Sequence, residues 1–214
     1  MTALGFACTG VRSDPYAAGP TLVFRLRITA PADTRVHALA LHCQLRIEPG
    51  HRPYGDTESG RLTDQFGGRE RWAATLHPIR LATVPLLVPG FTGATEIDLV
   101  VPCTYDQEVA SARYFRALDG GEVPMLLLFS GTAFAGPDGF QVSPVPWDRE
   151  ARVRMPVRVW REAIDRHFPD SGWLRLPDDV IDELLAYRSR RALPSWEATV
   201  RELLAAAAIG GTAP

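Results

Sequence analysis

The chain contains neither lysine nor asparagine, so all 23 of its basic residues are arginine. The lack of lysine excludes a P-loop lysine, a Schiff-base amine and a Ser-x-x-Lys nucleophile pair. The lack of asparagine removes any N-glycosylation acceptor. Both residues use AT-rich codons, so their joint absence reads as the mark of a GC-rich bacterial genome. Cysteine is scarce as well. Cys8, Cys43 and Cys103 are odd in number and far apart, and each falls on an apolar strand-like face. That pattern reads as three reduced, buried thiols, not a disulfide framework. Neither sign of charge dominates. The formal net charge is −2, with 12 Arg against 14 acids through Trp147 and 11 against 11 beyond it. No basic arm attracts nucleic acid or anionic lipid. No apolar run approaches the ~18 residues of a membrane-crossing helix. The first residues lack the basic start and apolar core of a signal peptide. The expected compartment is the cytoplasm.

What is present is a core. At 214 residues and 46% hydrophobic, the chain can form one large domain or a main domain with an appendage. The central stretch, residues 84–134, holds two strand-like segments with a helical one between them. Thr95, Ile97, Leu99, Val101 and Cys103 alternate on one face, and Val123 to Phe129 is almost unbroken apolar sequence. Earlier, Leu22 to Ile28 and Val36 to Glu48 alternate cleanly and are separated by Pro31-Ala32-Asp33-Thr34, which predicts an antiparallel hairpin. Residues 49–85 are polar and glycine-containing, and predict an inserted region with one or two short helices. Gly136-Pro137-Asp138-Gly139 predicts a turn into a short strand, and Ala151, Val153 and Met155 a last one. The period then lengthens to 3.6, with Val157, Trp160, Ile164 and Phe168 on the first of three helices. The expected fold is α+β: an antiparallel, Ig-like β-sandwich of about seven strands, with an inserted helical loop region and three C-terminal helices. The expected domains are a sandwich over 1–155 with its insertion at 49–85, a helical cap over 156–208 packed on it, and a loose tail over 209–214.

Chemistry-bearing patterns are sparse. The histidines, His37, His42, His51, His77 and His167, form no metal-ligand spacing, and adjacent His42 and Cys43 point to opposite faces of a strand. No metal or cofactor is expected. Cys103, beside a helix start, is the one candidate thiol nucleophile, set against its reading as core. Glu96 with Asp98 reads as a solvated strand face, and Asp106 with Glu108 as helix-start acids, before either reads as a general acid/base pair. Ser130 lacks the glycines of a nucleophile elbow. The strongest functional signal is tryptophan and arginine together in the last third. Trp147, Arg149, Trp173, Arg190, Arg191 and Trp196 are candidate protein-interaction residues, because Trp and Arg dominate interface hot spots. The competing reading is that the tryptophans pin helices to the core. His51, His77 and Asp98 are candidates for a cleft between insertion and sheet.

The phrases Pro20 to Ile28, Gln44 to Pro49, Val88-Pro89-Gly90-Phe91-Thr92-Gly93, Pro102-Cys103-Thr104-Tyr105-Asp106, Phe129-Ser130-Gly131-Thr132, Val145-Pro146-Trp147 and Phe168 to Leu174 resemble one bacterial family. It comes from GC-rich genomes and is known only as a domain of unknown function. The resemblance covers nearly the whole chain and brings no catalytic residues with it. It implies a neighbourhood of nickel-iron hydrogenase genes, and so an accessory role beside a hydrogenase subunit or maturation factor. The chain lacks the Cys and His sets needed to hold such centres itself. The expected function is that of a non-enzymatic accessory or assembly protein binding a protein partner, with no nucleic acid and no membrane. The alternative is a cofactor-independent enzyme or small-ligand binder using the cleft.

Overall fold

The computed structural model describes residues 3–103, 105–136, 141–169 and 176–210, with the backbone alone described over 105–110 and 209–210. Its strands are β1 (Gly5–Ser13), β2 (Thr21–Thr29), β3 (Arg35–Ile47), β4 (Ile79–Thr92), β5 (Ala94–Pro102), β6 (Glu122–Ala135), β7 (Gln141–Pro144) and β8 (Glu150–Pro156). Its helices are α1 (Asp56–Phe66), α2 (Trp72–Thr75), α3 (Tyr105–Ala117), α4 (Val157–His167), α5 (Asp178–Arg190) and α6 (Trp196–Gly210). The fold is mixed, with eight strands in two antiparallel sheets and six helices among the described residues. One sheet has the order β1-β2-β5. In the other, β4-β3-β6, the strands β7 and β8 share the far side of β6.

Period-2 patterning builds both sheets. On β2, Leu22, Phe24, Leu26 and Ile28 are fully buried while Arg25 and Arg27 stand outside. Each such side chain contributes about 1.5–3 kcal/mol of burial. On β3, Leu39, Leu41, Cys43, Leu45 and Ile47 do the same. Ile28, Leu39 and Leu41 belong to a smaller apolar cluster, whereas Leu22, Phe24, Leu26, Cys43, Leu45 and Ile47 of the two sheets share the larger one, in which Phe6 of β1 stacks on Phe129 of β6 at 4.3 Å between ring centroids. Helices close the cluster at its margin. Leu62 and Phe66 come from α1, and Phe115 of α3 lies flat against Trp160 of α4 at 4.9 Å.

Several expectations need correction. β2 and β3 do not form a hairpin: they lie in different sheets, and the Pro31–Thr34 connection crosses between them. Both strands carry a buried face, so the alternation is equally satisfied when each belongs to a separate sheet. The insertion is shorter than 49–85, because β4 already begins at Ile79. Leu81 and Ala82 are buried in succession where the β3–β4 register shifts, and this bulge hides the alternation. Pro85 and Pro89 sit in β4 because it is an edge strand. Cys8 and Cys103 are half-buried, and only Cys43 is fully inside. The turn expected at 136–139 falls outside the described residues beyond Gly136; of the tail expected over 209–214, residues 209–210 instead continue α6, and 211–214 lie outside the described residues.

The chain divides into two compact units, Met1–Ser171 and Gly172–Pro214. The first contains both sheets and α1 to α4. The second contains α5 and α6, joined by a short turn in which Ala192 takes a left-handed conformation (φ 52°) at the end of α5. Within this hairpin Tyr187 donates to Glu202 (3.2 Å), Arg191 pairs with Glu202 (3.1 Å) and the Arg188 guanidinium lies over the Trp196 ring at 5.3 Å.

Candidate functional site

Residues directly opposite in an antiparallel pair point to the same side of the sheet, so the pairing register reads out the outward face of the larger sheet. At one end, Pro89, Ala38, Phe134 and Val142 form a row across β4, β3, β6 and β7. Leu87, Ala40, Thr132 and Pro144 form the next, and Pro85, His42 and Ser130 the third. These rows contain no acid and no arginine. Leu87 is 74% exposed and Val142 66% exposed. The next row brings Thr83, Gln44, Leu128 and Glu150, and the one after it Arg80, Arg46, Leu126 and Arg152. Arg154 follows on β8, opposite Pro124. Leu126 is buried on this face although the core lies on the other, as expected beneath the aliphatic stems of Arg46 and Arg152.

The arginine-rich end contains a groove of about 540 Å³, lined by Glu48, His51, Pro124, Met125, Arg152, Val153 and Arg154. One carboxylate oxygen organises it. Glu48 Oε2 accepts from His51 Nδ1 at 2.9 Å and from Arg152 Nη1 at 2.8 Å. A second carboxylate, Glu150, holds Arg152 Nε at 3.2 Å. Arg46 is held by Gln44. Arg80 and Arg154 have no ion-pair partner among the described residues. The face therefore grades from uncharged and apolar to cationic with two uncommitted guanidinium groups.

Trp147 marks the edge of this surface. The connection from β7 to β8 stays in register with β6 on either side, through Val145 N–H to Gly131 C=O and Phe129 N–H to Arg149 C=O, both 2.9 Å. Between these bonds a turn closed by Arg149 N–H to Pro146 C=O lifts Trp147 to 90% exposure.

A second polar cluster fastens the 48–78 segment to the body. Arg52 Nη2 donates to Glu58 Oε1 at 2.6 Å and to the Gly120 carbonyl at 2.8 Å, and Asp119 N–H donates to the same Glu58 oxygen at 2.8 Å. The two side chains are 8% and 7% exposed. Beside them the Tyr54 hydroxyl donates to the Pro49 carbonyl (2.8 Å) and lies 2.7 Å from the Tyr114 hydroxyl. Burial is the main cause that raises both phenol pKa values above the ordinary tyrosine value, and the nearness of the two phenols adds to it for Tyr54. Burial likewise pushes the Cys43 thiol up to about 12 and raises that of Cys8. These thiols are held protonated, which is the reverse of an activated nucleophile.

The expected site residues distribute unevenly. His51 lines the groove. His77 is exposed after α2, in a segment that runs beside Gly50, whose added Cβ would stand 3.6 Å from the Leu76 carbonyl. Asp98 lies on β5 in the other sheet, paired with Arg12 (3.1 Å) and Arg25 (3.5 Å). Glu96 lies opposite Arg27, so the outward face of that sheet carries its own counter-charges. Trp147 and Arg149 stand on the β7–β8 connection, Arg149 being 3.5 Å from Asp148. Arg190, Arg191 and Trp196 belong to the helical hairpin, and Trp173 lies outside the described residues. Trp160 is core, 3% exposed. Sequence reasoning missed Arg80, the Glu48–Arg152 link and the Arg52–Glu58 pair. The readable signal was the uncharged polar side of β3 between Ala38 and His42, followed by Arg46 and Glu48. Among the described residues no group of three or more His, Cys, Asp or Glu is arranged to hold a metal ion, and no helix is long and apolar enough to cross a membrane.

The model of a family of unknown function, DUF6084, matches residues 1–211. The chain belongs to that family. No curated protein matches it. Among solved structures the DUF6084 chain is similar to a late embryogenesis abundant protein, at 12% identity and a TM-score of 0.35, with 72% of each chain covered. It is also similar to β-glucosidase 3B from Thermotoga neapolitana bound to α-D-glucose (11% identity, TM-score 0.27). A third likeness is to a β-glucosidase from Kluyveromyces marxianus bound to glucose (6% identity, TM-score 0.24). The match covers 72% of this chain in both cases but only 17% and 15% of the glucosidases. Likenesses at these TM-scores carry no argument about the function of this family member.

Proposed function

We propose that this DUF6084 protein is a non-enzymatic, cytoplasmic accessory module, an Ig-like β-sandwich with appended helices, that binds a protein partner. The docking surface is the outward face of the β4-β3-β6 sheet. The observation that carries this reading is the gradient on that face, from three uncharged rows around Leu87 and Ala40 to an end where Arg80 and Arg154 lack counter-charges. A charged surface that supplies its own neutralisation has no need of a partner; one with free guanidinium groups beside exposed apolar side chains is complementary to a foreign segment. The partner segment it fits carries carboxylates at one end and apolar side chains at the other, with Arg forks taking the carboxylates. The sequence resemblance supplies the partner class, a hydrogenase subunit or maturation factor of a redox complex.

The test is affinity capture of the tagged protein from its native host, run beside Leu87→Asp and Arg154→Glu variants. The reading expects a stoichiometric companion, weakened by high salt and lost from both variants while their circular dichroism is unchanged. A companion retained equally by both variants refutes the face as the docking site, and a clean monomer with no companion refutes the accessory role. A second reading, small-ligand binding, is favoured by the groove itself, whose volume falls in the range of small-molecule sites. In that case His51→Ala abolishes binding of a small anion, and Leu87→Asp leaves it untouched.

A further inference from the structure

The helical hairpin presents a surface that does not depend on the sheet face. α5 is a 13-residue helix on which no residue is fully buried. Its charges are segregated. Asp178, Asp179, Asp182 and Glu183 occupy the N-terminal half, and Arg188 and Arg190 the last turn. The macrodipole accounts for the acids of the first turn and the arginines of the last. It does not account for Glu183, which lies beyond the first turn. Asp179 and Glu183, one helical turn apart on the same side, repel each other, and no cation stands at i+4 to relieve them. In α6, by contrast, Glu197 and Arg201 pair at 2.8 Å with that spacing. Neither Glu183 nor Arg190 has an ion-pair partner among the described residues. Both border one groove of about 420 Å³, whose remaining lining is almost wholly apolar: Val180, Leu184, Ala186, Tyr187 and Leu203.

We propose that this groove docks the same face of a second copy of the chain, α5 against α5, antiparallel about a twofold axis. The midpoint between Glu183 and Arg190 falls at Ala186 and Tyr187. An antiparallel copy centred there sets Glu183 against Arg190 of the second copy, and Arg190 against its Glu183. One patch thus satisfies itself twice, the self-complementarity an isologous contact requires. Ala186 at the crossing, having no bulk beyond Cβ, lets the helices approach closely, and Leu184 and Leu203 then lose their contact with water. A helix with its acids at one end and its bases at the other is matched by its own reverse, whereas a parallel copy sets like charge against like.

The experiment is sedimentation velocity and light scattering on the full chain over a concentration series. The expected result is a monomer–dimer equilibrium that salt weakens. Arg190→Glu and Glu183→Arg each raise the dissociation constant at least tenfold. The double variant Glu183→Arg/Arg190→Glu restores dimerisation to near the original value, because it reverses both pairs and keeps them matched. Both positions are solvent-exposed, and circular dichroism confirms that the variants are folded. A monomer at every soluble concentration overturns the proposal, as does a dimer indifferent to the single substitutions or one the double variant fails to rescue. Failure here leaves the sheet-face reading intact, since Leu87 and Arg154 are not on α5.

Discussion

Removing one member of the Arg52–Glu58 pair is the sharpest test of how the 48–78 segment is held. Both side chains are more than nine-tenths buried and 2.6 Å apart, and the pair is further held by the Gly120 carbonyl and the Asp119 N–H. Arg52→Met therefore leaves a buried carboxylate with the Asp119 N–H donor, and Glu58→Leu leaves a buried guanidinium with the Gly120 and Pro53 carbonyls and no counter-charge. Breaking a buried pair from one side costs about 3–5 kcal/mol, because the surviving charge stays desolvated. In a chain of this size each kcal/mol lowers Tm by about 2–4 °C, so either variant is expected to lose roughly 6–20 °C. Glu58→Gln keeps the shape and an acceptor but loses the charge assistance, for about 1.5–3 kcal/mol. The double variant Arg52→Met/Glu58→Leu removes both charges and packs apolar groups in their place. Its cost should fall short of the summed singles by at least about 2 kcal/mol. Urea denaturation followed by circular dichroism and tryptophan fluorescence measures all four proteins. Single variants that each lose less than about 1 kcal/mol, or costs that add, would refute the view that this pair is desolvated and clamps the segment to the 118–121 loop.

Alkaline titration probes the neighbouring phenols. Burial raises the Tyr54 pKa above its unfolded value of about 10, so the contribution is complete below pH 10 and is lost as pH rises beyond it. Tyr54→Phe should flatten that alkaline decline when stability is measured by urea titration at stepped pH. Cys43, its pKa pushed up to about 12, should resist iodoacetamide in the native protein and react only on unfolding. Modification of Cys43 under native conditions, read by mass spectrometry, would contradict its full burial. Gly131 has φ +140°, and an added Cβ would lie 2.1 Å from the Ala40 carbonyl oxygen. Gly131→Ala should therefore cost on the order of 1–3 kcal/mol or more by separating β3 from β6, as measured by thermal melting.

Much of the fold is legible because burial imposes a period that sequence displays. Leu22 to Ile28 and Leu39 to Ile47 announce their inward faces residue by residue, and the change to helical spacing at Val157 coincides with the start of α4. What is hidden follows from the same physics. Alternation records that a strand has one buried face but not which strand hydrogen-bonds to it, so β2 and β3 look like a hairpin and lie in separate sheets. The bulge at Leu81–Ala82 shifts the phase of β4, and Pro85 and Pro89 imitate loop sequence on what is an edge strand. For the site, His51 was readable as a polar residue in a conspicuous segment. Glu48 is its local neighbour at i−3, but Arg152 and Arg154 were not readable, because they reach it only through the pairings of β6 with β3 and β8. Trp160 and Trp147 both stand within two residues of an arginine in sequence. One is a core stack and the other a turn tip, a difference set by a helix face and a two-residue excursion that composition cannot express.

The two outward faces of the sheets make opposite use of arginine, and that contrast is the physical basis for assigning recognition to one of them. On the smaller sheet Asp98 lies within 3.1 Å of Arg12 and 3.5 Å of Arg25, and Glu96 stands opposite Arg27 in the pairing register. Such exposed pairs contribute little stability, but they leave a surface locally neutral and fully solvated. On the larger sheet Glu48 is shared between His51 and Arg152, Glu150 is taken up by Arg152, and Arg80 and Arg154 are left over. A guanidinium in water loses nothing by having no counter-ion, so folding alone does not demand that these two be paired. Nor does folding demand that three successive rows of the same face omit charge and expose Leu87 and Val142. Each feature is tolerable alone. Their adjacency on one sheet face gives a binding segment both an apolar area to cover and a fixed polarity to obey, and the second constraint sets orientation as well as affinity.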